Sequence, residues 1–172
     1  HNSIPAISKR LLLVSQPSSY RIAPYLVAAQ QMGLDVLIGS RGEHSLTTEV
    51  NQRLHIDLDD HGAALATILE EARYRPFAGL IGTDDSTVEL AAHAASLLNL
   101  PHNPPRAARL TRRKDMSRAH LMLAGCPVPT HCLVDLGKPL ADQTAGLPWP
   151  CVLKPLHMSA SRGVIRSEER FS

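Results

Sequence analysis

The sequence predicts an α/β protein: a parallel sheet with flanking helices, followed by the beginning of a smaller α+β unit. Short uninterrupted apolar runs, RLLLVSQ (10–16), LDVLIGS (34–40) and PFAGLIGTDD (76–85), have the composition of strands buried on both faces. Segments with helical apolar spacing lie between them, and strands alternating with helices call for a parallel sheet. Beyond residue 105 the strand candidates crowd together, as in an antiparallel arrangement.

The first run is strand 10–16. YRIAPYLVAAQQMG (20–33) follows as a helix, with Ile22, Leu26, Ala29 and Met32 at helical spacing and Gly33 as the stop. LDVLIGS completes a strand–helix–strand unit. The polar stretch 41–53 reads as loop, and RLHIDLDD (53–60) as a short strand through Leu54, Ile56 and Leu58. GAALATILEEARYR (62–75) is an amphipathic helix with Leu65, Ile68, Leu69 and Ala72 on one face. After strand 76–85, DSTVELAAHAASLLNL (85–100) is an alanine-rich helix, capped by Asp85 or Ser86 and ended near Asn99 and Pro101. PHNPP (101–105) is a break that no helix interior tolerates. AARLTRRKDMSRAHLMLAG (107–125) is a basic helix, or two short ones, ending at Gly125. PVPTHCLVDL (127–136) is expected to be a strand, GKPLADQTAG a surface loop, and WPCVLKP (149–155) and GVIRS (163–167) two more strands.

Composition narrows the function. With 172 residues, the chain is one domain or one domain plus the start of another. Apolar residues make up 44%, but aromatics only 3%, so aliphatic side chains must fill the core. Nowhere do eighteen apolar residues run together, so no membrane-spanning helix is expected. The three cysteines, Cys126, Cys132 and Cys151, lack C-x-x-C spacing and suit the reducing cytoplasm. His131 beside Cys132 offers two ligands where zinc takes three or four. The opening HNSIPAISKR lacks an initiator Met and a signal-peptide core, and residues 1–9 are set aside as a tag remnant or disordered terminus.

Chemistry concentrates at a few places. SQPSSYR (15–21) leaves the first strand for the first helix, at the end of the sheet where open α/β folds bind ligands. Ser18 and Ser19 either hold an anion at the helix N-terminus, with Arg21 nearby, or cap the helix. The dinucleotide fingerprint G-x-G-x-x-G is absent there. GTDDS (82–86) places Asp84 and Asp85 at the same edge, either to contact a substrate amine or to cap the following helix. Arg106, Arg109, Arg112, Arg113, Lys114 and Arg118 form a basic run. It carries no aromatics for base stacking and the net charge of the whole chain is only +2, so a solvated face is expected and no nucleic-acid partner. PCVLKPLHMSASRGVIR (150–166) sets Lys154 on a strand before a loop of small, hydroxyl-rich residues. A strand lysine is tolerable where its ammonium meets phosphate, and such a loop folds its N–H groups over phosphate oxygens. An edge-strand lysine beside an ordinary hairpin is the plainer reading.

Taken in order, GLIGTDDSTVELAAHAASLLNLPHNPP, TRRKDMSRAHLMLAGCPVPTH and WPCVLKPLHMSASRGVIR resemble the start of an ATP-grasp enzyme. The shared succession is a helix ending in L-x-L-P, a lysine-bearing helix ending in A-G-x-P-x-P, a P-x-V-x-K-P strand and a small-residue loop ending in R-G-V. The resemblance covers nearly the whole chain. It looks closest to the carboxylate–amine ligases that join amino acids. It implies a Rossmann-like pre-ATP-grasp domain at 10–105 and the first part of the ATP-grasp domain at 106–172.

The resemblance also implies roles. Lys114 matches the family's first ATP-contacting lysine and Lys154 the second. Ser159, Ser161, Arg162 and Gly163 fall in the loop that closes over the phosphates, with Ser159, Ala160 and Ser161 where many relatives carry glycines. Ser18, Ser19, Arg21, Asp84 and Asp85 are the substrate-side candidates. The implied activity is an ATP- and Mg²⁺-dependent ligase that makes an amide from a small-molecule carboxylate and an amine through an acyl phosphate. The metal ligands and catalytic arginine of the family lie further along than residue 172. The resemblance thus implies an amino-terminal fragment, inactive alone, with no catalytic or metal-binding residue of its own. Amino-terminal domains of the family often pair, which implies a homodimer; no membrane partner is expected. The alternative reading is a non-catalytic α/β module that binds a small anion or nucleotide.

Overall fold

A computed structural model describes residues 8–42, 52–158 and 161–169. The chain divides into two compact units, residues 1–108 and 109–172.

The first unit holds β1 (Arg10–Val14), α1 (Ile22–Gln31), β2 (Asp35–Ser40), β3 (Gln52–His55), α2 (His61–Tyr74), β4 (Gly79–Gly82) and α3 (Val88–Leu97). The four strands form one parallel sheet in the order β3-β2-β1-β4. β1 lies inside it, with Leu12 opposite Leu37 on one side and Leu80 on the other. That position explains its unbroken apolar run. Leu12, Leu13 and Val14 are 0%, 1% and 0% exposed, so a polar residue at any of them would lose its water without a partner. Successive strand side chains alternate between faces. Leu12 and Val14 join a core with Ile56, Ile68, Leu90 and Ala94, while Leu13 turns to the other face. Each such aliphatic side chain contributes about 1.5–3 kcal/mol by leaving water.

Helix ends follow local chemistry. α1 stops at Gln31 because Gly33 takes a left-handed φ of +67°. Met32, expected on the buried stripe, is the cap residue instead and is 71% exposed. α2 is capped by Asp60, whose carboxylate accepts from the Ala63 amide at 3.0 Å. Its buried stripe is Ala64, Ile68 and Ala72, with Leu65 and Leu69 half-buried beside it. Arg10 enters the core at the foot of β1, 3% exposed, its charge paired with Glu71 at 2.7 Å and its guanidinium 4.4 Å over the Phe77 ring. This ties the end of α2 to the central strand. α3 closes with Asn99 in the left-handed region at φ +55°.

α4 (Pro105–Arg112) carries the chain from the first unit into the second, and Pro105 opens it at the position where a missing N–H costs nothing. The second unit continues with α5 (Lys114–Leu123), α6 (Leu140–Thr144), β5 (Cys151–Leu153) and β6 (Ile165–Ser167). Arg113 is extended, at φ −103° and ψ 106°, so the basic segment is two helices rather than one. β5 and β6 pair antiparallel, Val152 opposite Arg166. Two expectations fail here. Residues 127–136 are not a strand: Pro127 and Pro129 lack N–H groups, and Asp135 exchanges its backbone bonds with the Gln143 side chain, at 2.8 and 3.0 Å, instead of with a ladder. The segment expected as loop contains α6. Residues 1–7 of the terminal stretch lie outside the described residues, whereas Lys9 already accepts from the Asp35 amide at 2.9 Å.

Candidate functional site

The loops after β1 and β4 meet at the carboxyl end of the sheet. Asp84 joins them. Its Oδ2 accepts from the Gln16 amide at 2.9 Å, the Thr83 hydroxyl at 2.8 Å and the Ser15 hydroxyl at 3.3 Å, and its Oδ1 accepts from Ser19 at 2.8 Å. Gln16 Nε2 adds a bond to the Ser86 hydroxyl at 2.8 Å, and Arg21 donates to the Thr83 carbonyl at 3.2 Å. Partial burial opposes the charge on Asp84 more than any single contact favours it. The donors from Gln16, Ser19, Thr83 and Ser15 together outweigh it and hold the carboxyl below the ordinary aspartate range.

The capping readings are corrected by this geometry. Neither Ser18 nor Ser19 caps α1, whose cap residue is Arg21 without a side-chain bond. Ser18 is exposed, and Ser19 is turned to Asp84. Neither Asp85 nor Ser86 caps α3; Thr87 holds that position, its hydroxyl exchanging bonds with the Asp84 backbone at 3.2 and 3.0 Å. The Asp84 carboxylate crosses to the neighbouring loop because that loop offers it three donors. Asp85 stays exposed at the rim.

The second unit contains a cleft of about 800 Å³ lined by Lys114, Lys154 and Gly163 together with Asp115, Arg118 and the 129–134 segment. Lys154 sits one residue past β5 rather than within it. The alternation through Cys151, Val152 and Leu153 leaves it exposed, and it makes no hydrogen bond among the described residues. Lys114 opens α5 and donates to the carbonyls of Pro155 at 2.9 Å, Leu156 at 3.3 Å and Met158 at 2.6 Å. The following turn uses two left-handed residues, Ser161 at φ +58° and Gly163 at φ +66°. A Cβ on Gly163 would lie 2.8 Å from Pro155 Cγ, so glycine is required there by contact as well as by φ. Ser161 and Arg162 belong to this turn but not to the cleft wall, and Ser159 lies outside the described residues.

Sequence reasoning missed Asp115 and Arg118 as cleft residues. Asp115 is gripped by Arg113 through two bonds of 2.9 and 2.6 Å, and that contact chiefly holds its carboxyl below the usual range. The R-K-D run at 113–115 was the available signal, since residues two apart at a helix start sit within reach of one another. Among the described residues, no three His, Cys, Asp or Glu side chains gather as a metal-binding group, and no helix is long and apolar enough to cross a membrane.

Comparison with known proteins agrees with the architecture. The family model of the ATP-grasp N-terminal domain matches residues 26–102. A formate-dependent phosphoribosylglycinamide formyltransferase of Xanthomonas campestris pv. campestris is 27% identical over 168 residues, covering 95% of this chain and 41% of the relative. The crystal structure of an L-amino acid ligase from Bacillus licheniformis superposes with a TM-score of 0.73 at 25% identity, over 95% of this chain and 40% of that one. An ADP complex of N5-carboxyaminoimidazole ribonucleotide synthetase shares the fold, with a TM-score of 0.72 at 18% identity, over 94% and 41%. The chain therefore spans about 41% of the length of the formyltransferase that it matches. A parallel sheet flanked by helices and an amino-terminal domain match lead to one assignment: residues 26–102 belong to the ATP-grasp N-terminal domain family, and the chain is similar to its relatives along nearly its whole length.

Proposed function

We propose that the protein carrying this chain is an ATP-dependent ligase that joins a carboxylate to an amine, and that this chain supplies part of its nucleotide and substrate sites. The observation that carries this reading is the presence of Lys114 and Lys154 on one cleft of about 800 Å³. On this concave wall the exposed Lys154 ammonium, together with the positive charge of Lys114 that the carbonyls hold in place, suits a polyanion, and such a volume accommodates a nucleoside triphosphate. Lys154, exposed and without a bond among the described residues, is the group most ready to take a phosphate oxygen. Gly163, the residue of the turn that reaches the cleft wall, is assigned to the phosphate end of the cleft, where the absence of a side chain lets backbone N–H groups approach oxygens.

In this reading a carboxylate oxygen attacks the γ-phosphorus of ATP, ADP leaves, and an acyl phosphate results. The amine nitrogen then attacks the acyl carbon, phosphate departs, and the amide forms as the nitrogen gives up its proton. Lys114 and Lys154 offset the charge on the phosphates, and positioning supplies most of the rest. Magnesium would add further charge neutralisation at the phosphates; no described residue is assigned to it. The rim of the first unit, Ser18, Arg21 and Asp85, is assigned to substrate recognition, with Asp85 available to an ammonium group and Arg21 to a carboxylate. Ser19 and Asp84 are instead assigned to holding that rim together. The relatives' substrates, amino acids in one case and formate with phosphoribosylglycinamide in another, support small molecules as the reactants. The three cysteines are free thiols, in keeping with the cytoplasm.

The test is release of ADP by the protein that carries this chain. ADP is expected only when a carboxylate and an amine are both supplied, and Lys154→Ala is expected to lower the rate by about 10²–10³-fold, the loss typical of removing one charge-stabilising group. ADP release that persists undiminished in that variant overturns the assignment.

A further inference from the structure

An ammonium group has three protons to donate and accepts nothing. At Lys114 three backbone carbonyls take them: Pro155, Leu156 and Met158, at 2.9, 3.3 and 2.6 Å. The donor belongs to the first turn of α5, while the acceptors lie 41 to 44 residues further along, directly after Lys154. Three carbonyl oxygens aimed at one point repel each other unless a cation occupies it. Beyond that tie, segment 155–158 is held by side-chain packing, with Pro155 and Met158 beside Gly163 and with Pro155 and Leu156 half-buried. Among the described residues it makes no backbone–backbone hydrogen bond, and β5 has already ended at Leu153. Its hydrogen bonds to the rest of the unit therefore come from the lysine of α5, and the segment they tie follows directly on Lys154 as the chain leaves the strand.

We propose that Lys114 is a positioning residue: in the nucleotide-free chain its ammonium is the tie that orders residues 155–158 and so aims Lys154 into the cleft. This role goes beyond contact with phosphate and stands whether or not the cleft takes a nucleotide.

NMR of the chain without nucleotide tests it. Wild-type order parameters at Leu156, His157 and Met158 are expected near 0.85, the rigid-backbone value, and below about 0.6 in Lys114→Met. The carbonyl ¹³C resonances of Pro155, Leu156 and Met158 should shift together in that variant. Lys114→Arg, which keeps the charge and the donors, should leave the segment ordered. A measurement on the wild type guards against a Met variant that does not fold: the ammonium protons of Lys114 should exchange with water at least about tenfold more slowly than those of Lys154, the factor that one charge-assisted hydrogen bond is worth. Unchanged order in Lys114→Met, equal loosening by Arg and Met, or equal proton exchange at the two lysines each overturns the proposal. Loss of nucleotide binding in Lys154→Met with segment 155–158 still ordered bears on the cleft alone, and so separates the two readings.

Discussion

Replacing Asp84 probes how the mouth of the first unit is held together. Its carboxylate accepts four hydrogen bonds, from Gln16 N at 2.9 Å and from the hydroxyls of Ser19, Thr83 and Ser15 at 2.8, 2.8 and 3.3 Å. Asp84→Ala leaves the Gln16 amide, a part-buried backbone donor, without its partner, while the hydroxyls can turn to water. One orphaned donor costs about 1–3 kcal/mol, and the lost charge-assisted bonds raise the total to about 3 kcal/mol. Asp84→Asn keeps an oxygen at the Oδ2 position, where three donors converge, so its cost is about 1–2 kcal/mol. The charge gives the effect a pH signature. The folded-state carboxyl lies below its ordinary range, so its contribution is present above the unfolded pKa of about 3.9 and is lost as pH falls through the folded value. Urea unfolding of wild type, Asp84→Asn and Asp84→Ala between pH 3 and pH 7 measures this directly. Asn should differ from wild type fully at pH 7 and progressively less below about pH 4. An alanine variant within about 0.5 kcal/mol of wild type, or an asparagine difference that does not change with pH, refutes the reasoning.

Other substitutions address close contacts. Gly82→Ala places a methyl 2.7 Å from Val88 Cα and 2.8 Å from the Thr87 backbone; backbone cannot swing aside as a side chain can, and urea unfolding should show a loss of about 1–3 kcal/mol. Gly163→Ala combines a left-handed φ of +66° with a 2.8 Å approach to Pro155 Cγ. It should cost about 1–2 kcal/mol and shift the amide resonances of 161–165, a pattern absent from a control such as Gly146→Ala, where no atom lies within 4 Å. Leu12→Ala opens a cavity beneath the central strand, where the side chain is 0% exposed; a loss of about 2–5 kcal/mol in unfolding free energy is expected.

The sheet was legible because its signals are local. The unbroken apolar run of β1 marks a strand covered on both faces, whereas the run expected to be buried at 76–85 forms β4, a half-buried strand at the sheet's edge; Gly33 and Gly125 end helices by taking the left-handed backbone at φ +67° and +75°. The failures share a different cause. Residues 127–136 carry strand-like side chains, but Leu133 and Leu136 are exposed and the backbone bonds go to Gln143, a partner choice that periodicity cannot express. Asp84 read as a helix cap because caps are local; its donors at Ser15, Gln16 and Ser19 stand 65 to 69 residues away. Lys114 and Lys154 were visible as candidates through the resemblance, whereas the three carbonyls that hold Lys114 depend on how segment 155–158 turns. Residue chemistry is written in sequence; long-range pairing of polar groups is not.

Bolting two loops together at Asp84 sets a fixed base at the sheet's carboxyl end and leaves Ser18 and Asp85 exposed around it. That base is already assembled, so a substrate bound there under the proposed function would have little chain to freeze and would keep more of its contact energy as affinity. Under the proposed function, preference for one substrate over another would then reside in side chains free to be exchanged without loosening the bolt, such as Ser18 and Asp85, both open to solvent. Redesign of selectivity belongs at those two positions, and changes to Ser19 or Thr83 will be felt in the neighbouring loop as well as their own.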